Sequence, residues 1–344
     1  MALRLPVKPR EDIDGFELQL GKHHYLFAGN ETPFNNSSSA SIAVDKYCTN
    51  KLLEMADIPV PKAIFLHVSE FQQKTFEEKI IDLKFPLVIK PLTGSLGIDV
   101  LCNVQSLDEL LISLTHFFSL YDHLIVEEFH RRLKSYRVLV FKQKVIGVVI
   151  CHPASVIGDG KHNIKKLVDL MNIKRKETGD PGLGPIVIDE ECRIRLRELG
   201  IGLDYIPAAE EHVVLCYTSN GTRGGTYESL GKQICKENRQ LMIRVAAVLN
   251  LKLTGIDLEC EDINRPLTGT DGVILEVNHR PCVRIHELPI SGNPQLVSKT
   301  IMRSFISRHP LSYLYALYSN RPTAFYIRSF IVSIVMGILF LLVY

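Results

Sequence analysis

The pattern of apolar and polar positions divides the chain into short strands and helices. Residues 15–29 read as short strands about a turn at Gly21-Lys22. Residues 35–39 read as a loop. Residues 45–56, with Leu52, Leu53 and Met55, predict a helix. It stops before Ile58-Pro59-Val60-Pro61, where two prolines force an extended path. Phe85-Pro86-Leu87-Val88-Ile89-Lys90 is a short β-rich apolar run, a buried strand that Pro91 ends. A glycine-bearing loop follows over 93–97, then a helix over 107–120. Residues 124–127, 137–141 and 145–151 predict strands, the last two joined through Lys142-Gln143-Lys144. Ile157-Gly158-Asp159-Gly160 is a turn into a helix over 163–171.

Residues 172–211 are charged, carry glycines and two prolines over 179–185, and predict an excursion with short helices. A strand over 213–217 and a long amphipathic helix over 228–249 follow. Strands over 253–260 and 273–277 flank a turn-rich loop at 266–272. A last soluble helix covers 295–307. From 329 to 344 there is no charge and almost no polar group. No internal repeat or low-complexity stretch is visible. Helices mixed with several hairpins predict α+β lobes rather than one uninterrupted parallel sheet.

Composition narrows the class. The chain has 344 residues, 46% hydrophobic and 23% charged, which is globular rather than disordered. Its 40 basic and 38 acidic residues leave a net charge of +2, with no electrostatic footprint for nucleic acid. Eight cysteines are irregularly spaced and none forms Cys-x-x-Cys, which predicts reduced thiols in a cytosolic protein. Residues 1–14 hold no apolar run of signal-peptide length, so triplets such as Asn30-Glu31-Thr32 read as chance.

The candidate chemistry centres on Gly255-Ile256-Asp257-Leu258 and Leu275-Glu276-Val277-Asn278. Glu276 and Asn278 are two apart on a strand and share a face. A hairpin symmetric about Pro266-Leu267 places Asp257 opposite Glu276, with Cβ atoms roughly 5 Å apart. Two carboxylates and an amide oxygen there suit Mg²⁺ and nucleotide phosphates; the other reading is polar alternation on the solvent side of an edge hairpin. Lys90 either snorkels from the core edge or faces an anion. The loop after it, with Thr93, Gly94, Ser95 and Gly97, exposes backbone N–H groups to phosphate or is an ordinary turn. It lacks the Gly-Lys-Ser/Thr of a Walker A loop. Asp159 sits in a tight turn, and Asn220-Gly221-Thr222-Arg223-Gly224-Gly225 reads equally as turn or anion loop. His279, Cys282 and His286 lack the fourth ligand and spacing of a zinc site. No Gly-x-Ser-x-Gly element is present.

Taken in order, these pieces resemble the ATP-grasp superfamily, of the cyanophycin-synthetase and glutathione-synthetase type, over roughly residues 40–306. The motifs that carry the resemblance are Asp45-Lys46 with Thr49 and Leu52-Leu53, the strand ending in Lys90, and Val126-Glu127-Glu128-Phe129 with Tyr136-Arg137-Val138. Pro153-Ala154-Ser155-Val156-Ile157-Gly158-Asp159-Gly160, Gly255-Ile256-Asp257, Glu276-Val277-Asn278 and Arg284-Ile285-His286 complete it. The resemblance implies two α+β lobes clasping ATP. It implies Lys46 and Lys90 on the phosphates and Gly94, Ser95 and Gly97 closing over them. Glu127, Glu128 and Phe129 would line the adenine pocket, and Arg137 would face the γ-phosphate or acyl phosphate. Asp257, Glu276 and Asn278 would hold Mg²⁺, as two ions, with Mn²⁺ as an alternative metal. The implied activity is ADP-forming ligation of a carboxylate to an amine through an acyl phosphate, on amino acid or peptide substrates. The chain departs from the family pattern at Arg131-Arg132-Leu133, where glycine is usual after the hinge, and at Ser95-Leu96, where Asn-His is frequent. It departs again at Cys151, where arginine is usual, and at Pro281-Cys282, where Pro-Gly is usual. The alternative function is a non-catalytic or degenerate ATP-binding scaffold or sensor at a membrane.

The domain plan that follows is a β-rich segment over 1–44, the ATP-grasp domain over 45–310, a linker over 311–324 and a transmembrane tail helix over 325–344. So short an N-terminal segment leaves a substrate lobe to be supplied by other parts, a homo-oligomer or a partner. The tail from 329 to 344 covers about 24 Å as a helix, against a hydrocarbon core of roughly 30 Å, so the span extends back to Phe325. Arg328 would snorkel to the headgroups, and its β-branched residues are tolerated in lipid. Arg321 and Arg328 precede the segment and no basic residue follows. That bias predicts a single-pass C-terminal anchor with the body at the cytoplasmic face of a membrane. The other reading is a buried helix or a dimer contact.

Overall fold

This computed structural model describes residues 3–93, 99–130, 133–180 and 182–343. The chain forms two compact units. The smaller combines residues up to Pro33 with those from Leu296 onward, and the larger is Phe34–Gln295.

The smaller unit opens with β1 (Val7–Arg10), β2 (Gly15–Leu20) and β3 (His23–Ala28), an antiparallel sheet in that order. The turn expected at Gly21-Lys22 is present, with Gly21 at φ +61°. β1 was not legible in the alternation, because Pro9 and three charged or exposed positions mask it.

The larger unit begins with α1 (Ser37–Val44) and α2 (Lys46–Glu54). The loop expected at 35–39 is instead the start of α1. Asn36 accepts a hydrogen bond from the Ser39 N–H and nucleates a helix from residues of poor intrinsic propensity. Asp45 caps α2 in the same way. Then come β4 (Ala63–His67), α3 (Val68–Gln72), α4 (Glu77–Ile80), β5 (Leu87–Pro91), β6 (Leu101–Val104), α5 (Leu107–Phe117) and β7 (His123–Glu128). These strands form one antiparallel sheet in the order β4-β7-β5-β6. Leu66, Leu87, Ile89, Leu110, Leu114 and Val126 make its core.

β8 (Lys134–Phe141), β9 (Lys144–His152) and β10 (Ser155–Ile157) follow, then α6 (Ile164–Glu177), α7 (Glu190–Glu198), β11 (His212–Val214) and β12 (Thr226–Gly231). α8 (Lys236–Val248), β13 (Leu253–Cys260), β14 (Val273–Asn278), α9 (Arg284–Glu287) and β15 (Ser291–Gly292) complete the unit. Six strands make the larger sheet, ordered β14-β13-β8-β9-β12-β15. The single helix expected over 228–249 is two elements. Residues 226–231 alternate inward and pair antiparallel with β9, and Gly231 at φ +66° ends the strand before Cys235 caps α8. Period-2 burial against a waiting strand overrode a weak helical pattern. The predicted helix at 163 runs on to Glu177, and the excursion over 172–211 holds one further helix, α7.

One face of the six-stranded sheet packs on α8 through Val138, Val148, Ile256, Leu258, Met242 and Val245. Alternation along each strand then directs Arg137, Asp257, Glu259, Glu276 and Asn278 to the opposite face. In the smaller unit, α10 (Val297–Arg308), α11 (Pro310–Ser319) and α12 (Arg321–Val343) close the chain. Residues 311–324, expected as a linker, are helical through α11 and the start of α12. Tyr25 and Phe27 stack edge-on against Phe305 of α10.

Candidate functional site

β13 and β14 pair as the hairpin symmetry predicts. Asp257 lies opposite Glu276, and Gly255 opposite Asn278, with an irregularity only beyond Asp257. On the other side of β13, Asp257 pairs with Arg137 of β8. The guanidinium forks both carboxylate oxygens, Nε and Nη2 each at 2.5 Å. Asn278 Nδ2 donates to Asp257 Oδ2 at 3.0 Å. Burial alone would lower the Arg137 pKa; the charge and hydrogen bonds of Asp257 override it and hold it above the ordinary value.

Lys46 enters this row from the first turn of α2, its Nζ 3.9 Å from Glu276 Oε1. Its pKa is lowered, first by burial, which Glu276 opposes and Lys90 reinforces. Glu127 and Asp257 also act on it. The electrostatic neighbourhood of Lys46 therefore takes in Lys90 and Glu127 from the four-stranded sheet together with Glu276 and Asp257 from the six-stranded one.

Lys90 and Glu127 were expected at opposite ends of a nucleotide. They form a buried ion pair, Nζ to Oε1 2.6 Å, because β5 and β7 are hydrogen-bonded neighbours. Glu128 turns away from the pair and accepts the Lys84 N–H at 2.9 Å. Phe129 packs edge-on against Tyr217, ring centroids 5.1 Å apart. Its N–H donates to Pro86 O, and that of Glu128 to Lys62 O, so the backbone leaving β7 is tied on both sides. Neither side chain joins the Asp257 cluster. Gly94, Ser95 and Gly97 lie outside the described residues.

Two residues of the site escaped sequence reasoning. Glu259 lies two positions beyond Asp257 on the same face, accepts from Ser135 Oγ at 3.2 Å, and feels Glu127 and Lys90. Burial pushes its pKa up to about 7, partly offset by the Ser135 bond. The period of two along the strand over 253–260 was the available signal, and the residue was not singled out from it. Asn35 is the second. Its amide donates to Leu253 O and His279 O, both at 2.7 Å, and its oxygen accepts from the N–H groups of Lys252 and Leu253. It clamps the start of β13 to the end of β14, so Asn278 is held from outside its own strand.

Around this centre, Gly160 takes φ +70° in the turn read from the sequence, and Asp159 accepts the Lys161 and His162 N–H groups there. Arg175, buried, donates to Gly184 O, Gly221 O and Gly225 O and so fixes the loop at 220–225. His286 is fully buried against Gly147, with neither ring nitrogen hydrogen-bonded. Burial, then Arg137, lowers its pKa to about 3, so it is neutral. Among the described residues no cluster of His, Cys, Asp and Glu has the makings of a metal centre by side-chain grouping alone. His279, Cys282 and His286 form no such group there. Burial raises the Cys151 thiol pKa to about 12, so it stands uncharged beside Arg137.

Comparison with known proteins agrees with this geometry. Residues 43–178 match the model of the RimK-like ATP-grasp domain. Cyanophycin synthetase of Crocosphaera subtropica is 33% identical over 291 residues, covering 83% of this chain and 33% of that protein. The glutathione biosynthesis bifunctional protein GshAB of Pasteurella multocida is 25% identical over 297 residues, 83% of this chain and 38% of that protein. The crystal structure of a bifunctional glutathione synthetase from Pasteurella multocida shares the fold, with a TM-score of 0.60 at 22% identity over 88% of this chain and 42% of that one. The chain thus spans about a third of the length of the curated relatives it matches. It carries a RimK-like ATP-grasp domain, homologous to cyanophycin synthetase and to the bifunctional glutathione synthetase GshAB.

Proposed function

We propose that the chain is an ATP-dependent ligase that joins the carboxylate of an amino acid or peptide to an amine, releasing ADP and phosphate. The observation that carries this reading is the convergence of Lys46, Lys90 and Arg137 with Asp257, Glu276 and Asn278 in one electrostatic neighbourhood. A substrate carboxylate oxygen attacks the γ-phosphorus, the bond to the bridging oxygen breaks, and ADP leaves. An amine nitrogen then attacks the acyl carbon, phosphate departs, and the amine loses a proton. Lys46 and Lys90 offset charge on the transferring group, and partial burial strengthens the field of Lys46. Nη1 of Arg137 is not used in the pair with Asp257 and is the atom left to face the phosphoryl or acyl oxygen.

The donor set fits Mg²⁺. Asp257 and Glu276 are cross-strand partners with Asn278 two positions on, and Mg²⁺ held by their oxygens would displace the Arg137 and Asn278 donors that now bond the Asp257 carboxylate. Bound there, Mg²⁺ would neutralise phosphate charge and orient the γ-group. The test is a matrix of amino acids and amines scored for substrate-dependent ADP release, with hydroxylamine as a trap. We expect release that requires both an acid and an amine. Trapping of a hydroxamate without any need for an amine would assign a carboxylate kinase. ATP binding without ADP release for any pair would overturn the reading.

We infer further that α12 anchors the protein, as a single pass, with the body at the cytoplasmic face of a membrane. In support, α12 runs 23 residues, and its Ala324–Leu341 stretch is long and apolar enough to cross a bilayer and almost wholly exposed. A helix of that length rises about 34 Å.

A further inference from the structure

The helices α10 and α12 carry basic residues and no acidic one, and α11 between them is uncharged. After Glu287 the sequence holds no acidic residue, while Lys299, Arg303, Arg308, Arg321 and Arg328 are basic. Within this unit α11 is held along one side by the N-terminal strands and at its C-terminal end by α12. Tyr313 Oη donates to Leu3 O at 2.5 Å, and Ser312 abuts Gly21. The other side carries Leu311, Leu314, Tyr315 and Tyr318, the spacing of a single helical stripe. All four are exposed, Leu311 at 79% and Tyr315 at 70%. This face continues into α12, where Phe325, Phe330 and Val332 are also exposed. The Arg328 guanidinium sits 4.9 Å from the Tyr318 ring, so the two apolar surfaces meet at an aromatic and basic edge.

We propose that α11 is a second membrane-contacting element, lying in the headgroup and upper acyl region of an anionic lipid leaflet. Leu311, Leu314, Tyr315 and Tyr318 enter the leaflet, and Lys299, Arg308 and Arg328 meet lipid phosphates. α11 is uncharged, so it would bind such a surface through buried apolar area, with the basic residues of the flanking α10 and α12 supplying the attraction to anionic lipid. Tyrosines with arginines are the residues that settle at that depth. Lipid is the occupant favoured over a second copy because the stripe runs on into the exposed apolar stretch of α12 and is flanked by Arg308 and Arg328. The orientation of α11 rests on the reading of α12 as an anchor; its contact with lipid does not.

The chain contains no tryptophan, so single substitutions give clean reporters. Full-length Tyr315→Trp, Tyr318→Trp and Val335→Trp proteins are reconstituted in phosphatidylcholine vesicles, with and without phosphatidylglycerol, carrying bromines at shallow or deep acyl positions. The expected result is blue-shifted emission at 315 and 318, quenched several-fold by shallow bromines and more so with phosphatidylglycerol. Deep bromines should quench the reporter at 335. Water-like, unquenched emission at both 315 and 318, with 335 quenched, would overturn the proposal and keep the anchor. Quenching at 315 or 318 with 335 unquenched would keep the proposal and remove the anchor. Blue emission at 315 and 318 that bromines leave untouched and dilution in detergent abolishes would assign the face to a second copy.

Discussion

Lys90 and Glu127 sit 2.6 Å apart with both side chains buried, and Arg137 forks Asp257 in the neighbouring sheet. These pairs decide which substitutions give readable answers. Lys90→Ala and Glu276→Gln each remove a group proposed to face phosphate or metal, and the expected loss of ADP formation is on the order of 10³-fold or more, Glu276→Gln being the cleaner probe because Lys90→Ala leaves buried Glu127 unpaired. Wild-type turnover by Glu276→Gln would sink the metal assignment. Asp257→Asn is a poorer probe, because it leaves the Arg137 guanidinium unpaired and costs folding as well as activity. His286 yields a separate prediction in pH. Its folded pKa, about 3, is depressed by burial below the unfolded value. The unfolded chain therefore takes up one more proton between those values. The stability contribution is complete above the unfolded pKa and is lost as pH falls toward 3, with a slope of about 1.4 kcal/mol per pH unit from this group. His286→Gln should flatten the acid limb of a denaturation series between pH 6 and pH 4; an unchanged slope would show that the ring titrates freely.

Arg175 makes the argument at the level of elements. Projecting from α6, it donates to three carbonyls, two of them in the loop at 220–225 that leads into β12. Lysine cannot reproduce that fork. Arg175→Lys should lose roughly 2–4 kcal/mol in denaturant midpoint analysis, with faster amide exchange confined to 220–225. Exchange that speeds equally across the whole unit would point to a general packing defect instead. The same loop shows why strand β12 was hidden from sequence reading: its period of two covers only six residues and abuts a true helix, so the helical pattern of 236–248 bled backward over it.

For the whole molecule, α12 sets the expectation. Full-length protein should sediment with membranes and resist alkaline carbonate, whereas a chain ending near Asn320 should be soluble and keep its ATP-dependent activity. Full-length protein found in the soluble fraction without detergent would remove the anchor. The apolar stretch of α12 was evident in the sequence because sixteen consecutive uncharged positions need no partner to be recognised. That residues up to Pro33 and those from Leu296 onward make one compact unit was not, since the contacts of Tyr25 with Phe305 and His309 join positions almost three hundred residues apart.

The sequence by itself determined the ATP-grasp motifs, their order and the pairing of Asp257 with Glu276. Each rests on local spacing, and a hairpin register follows from symmetry about its turn. Only the tertiary structure decided that Lys90 meets Glu127, that Arg137 holds Asp257, and that Asn35 clamps β13 to β14. Strand order in a sheet is set by packing between distant segments, and no period along the chain encodes which strands become neighbours. Glu259 shows the same limit within one strand. It was not singled out from the sequence, and only the fold brings Ser135, Glu127 and Lys90 to act on it.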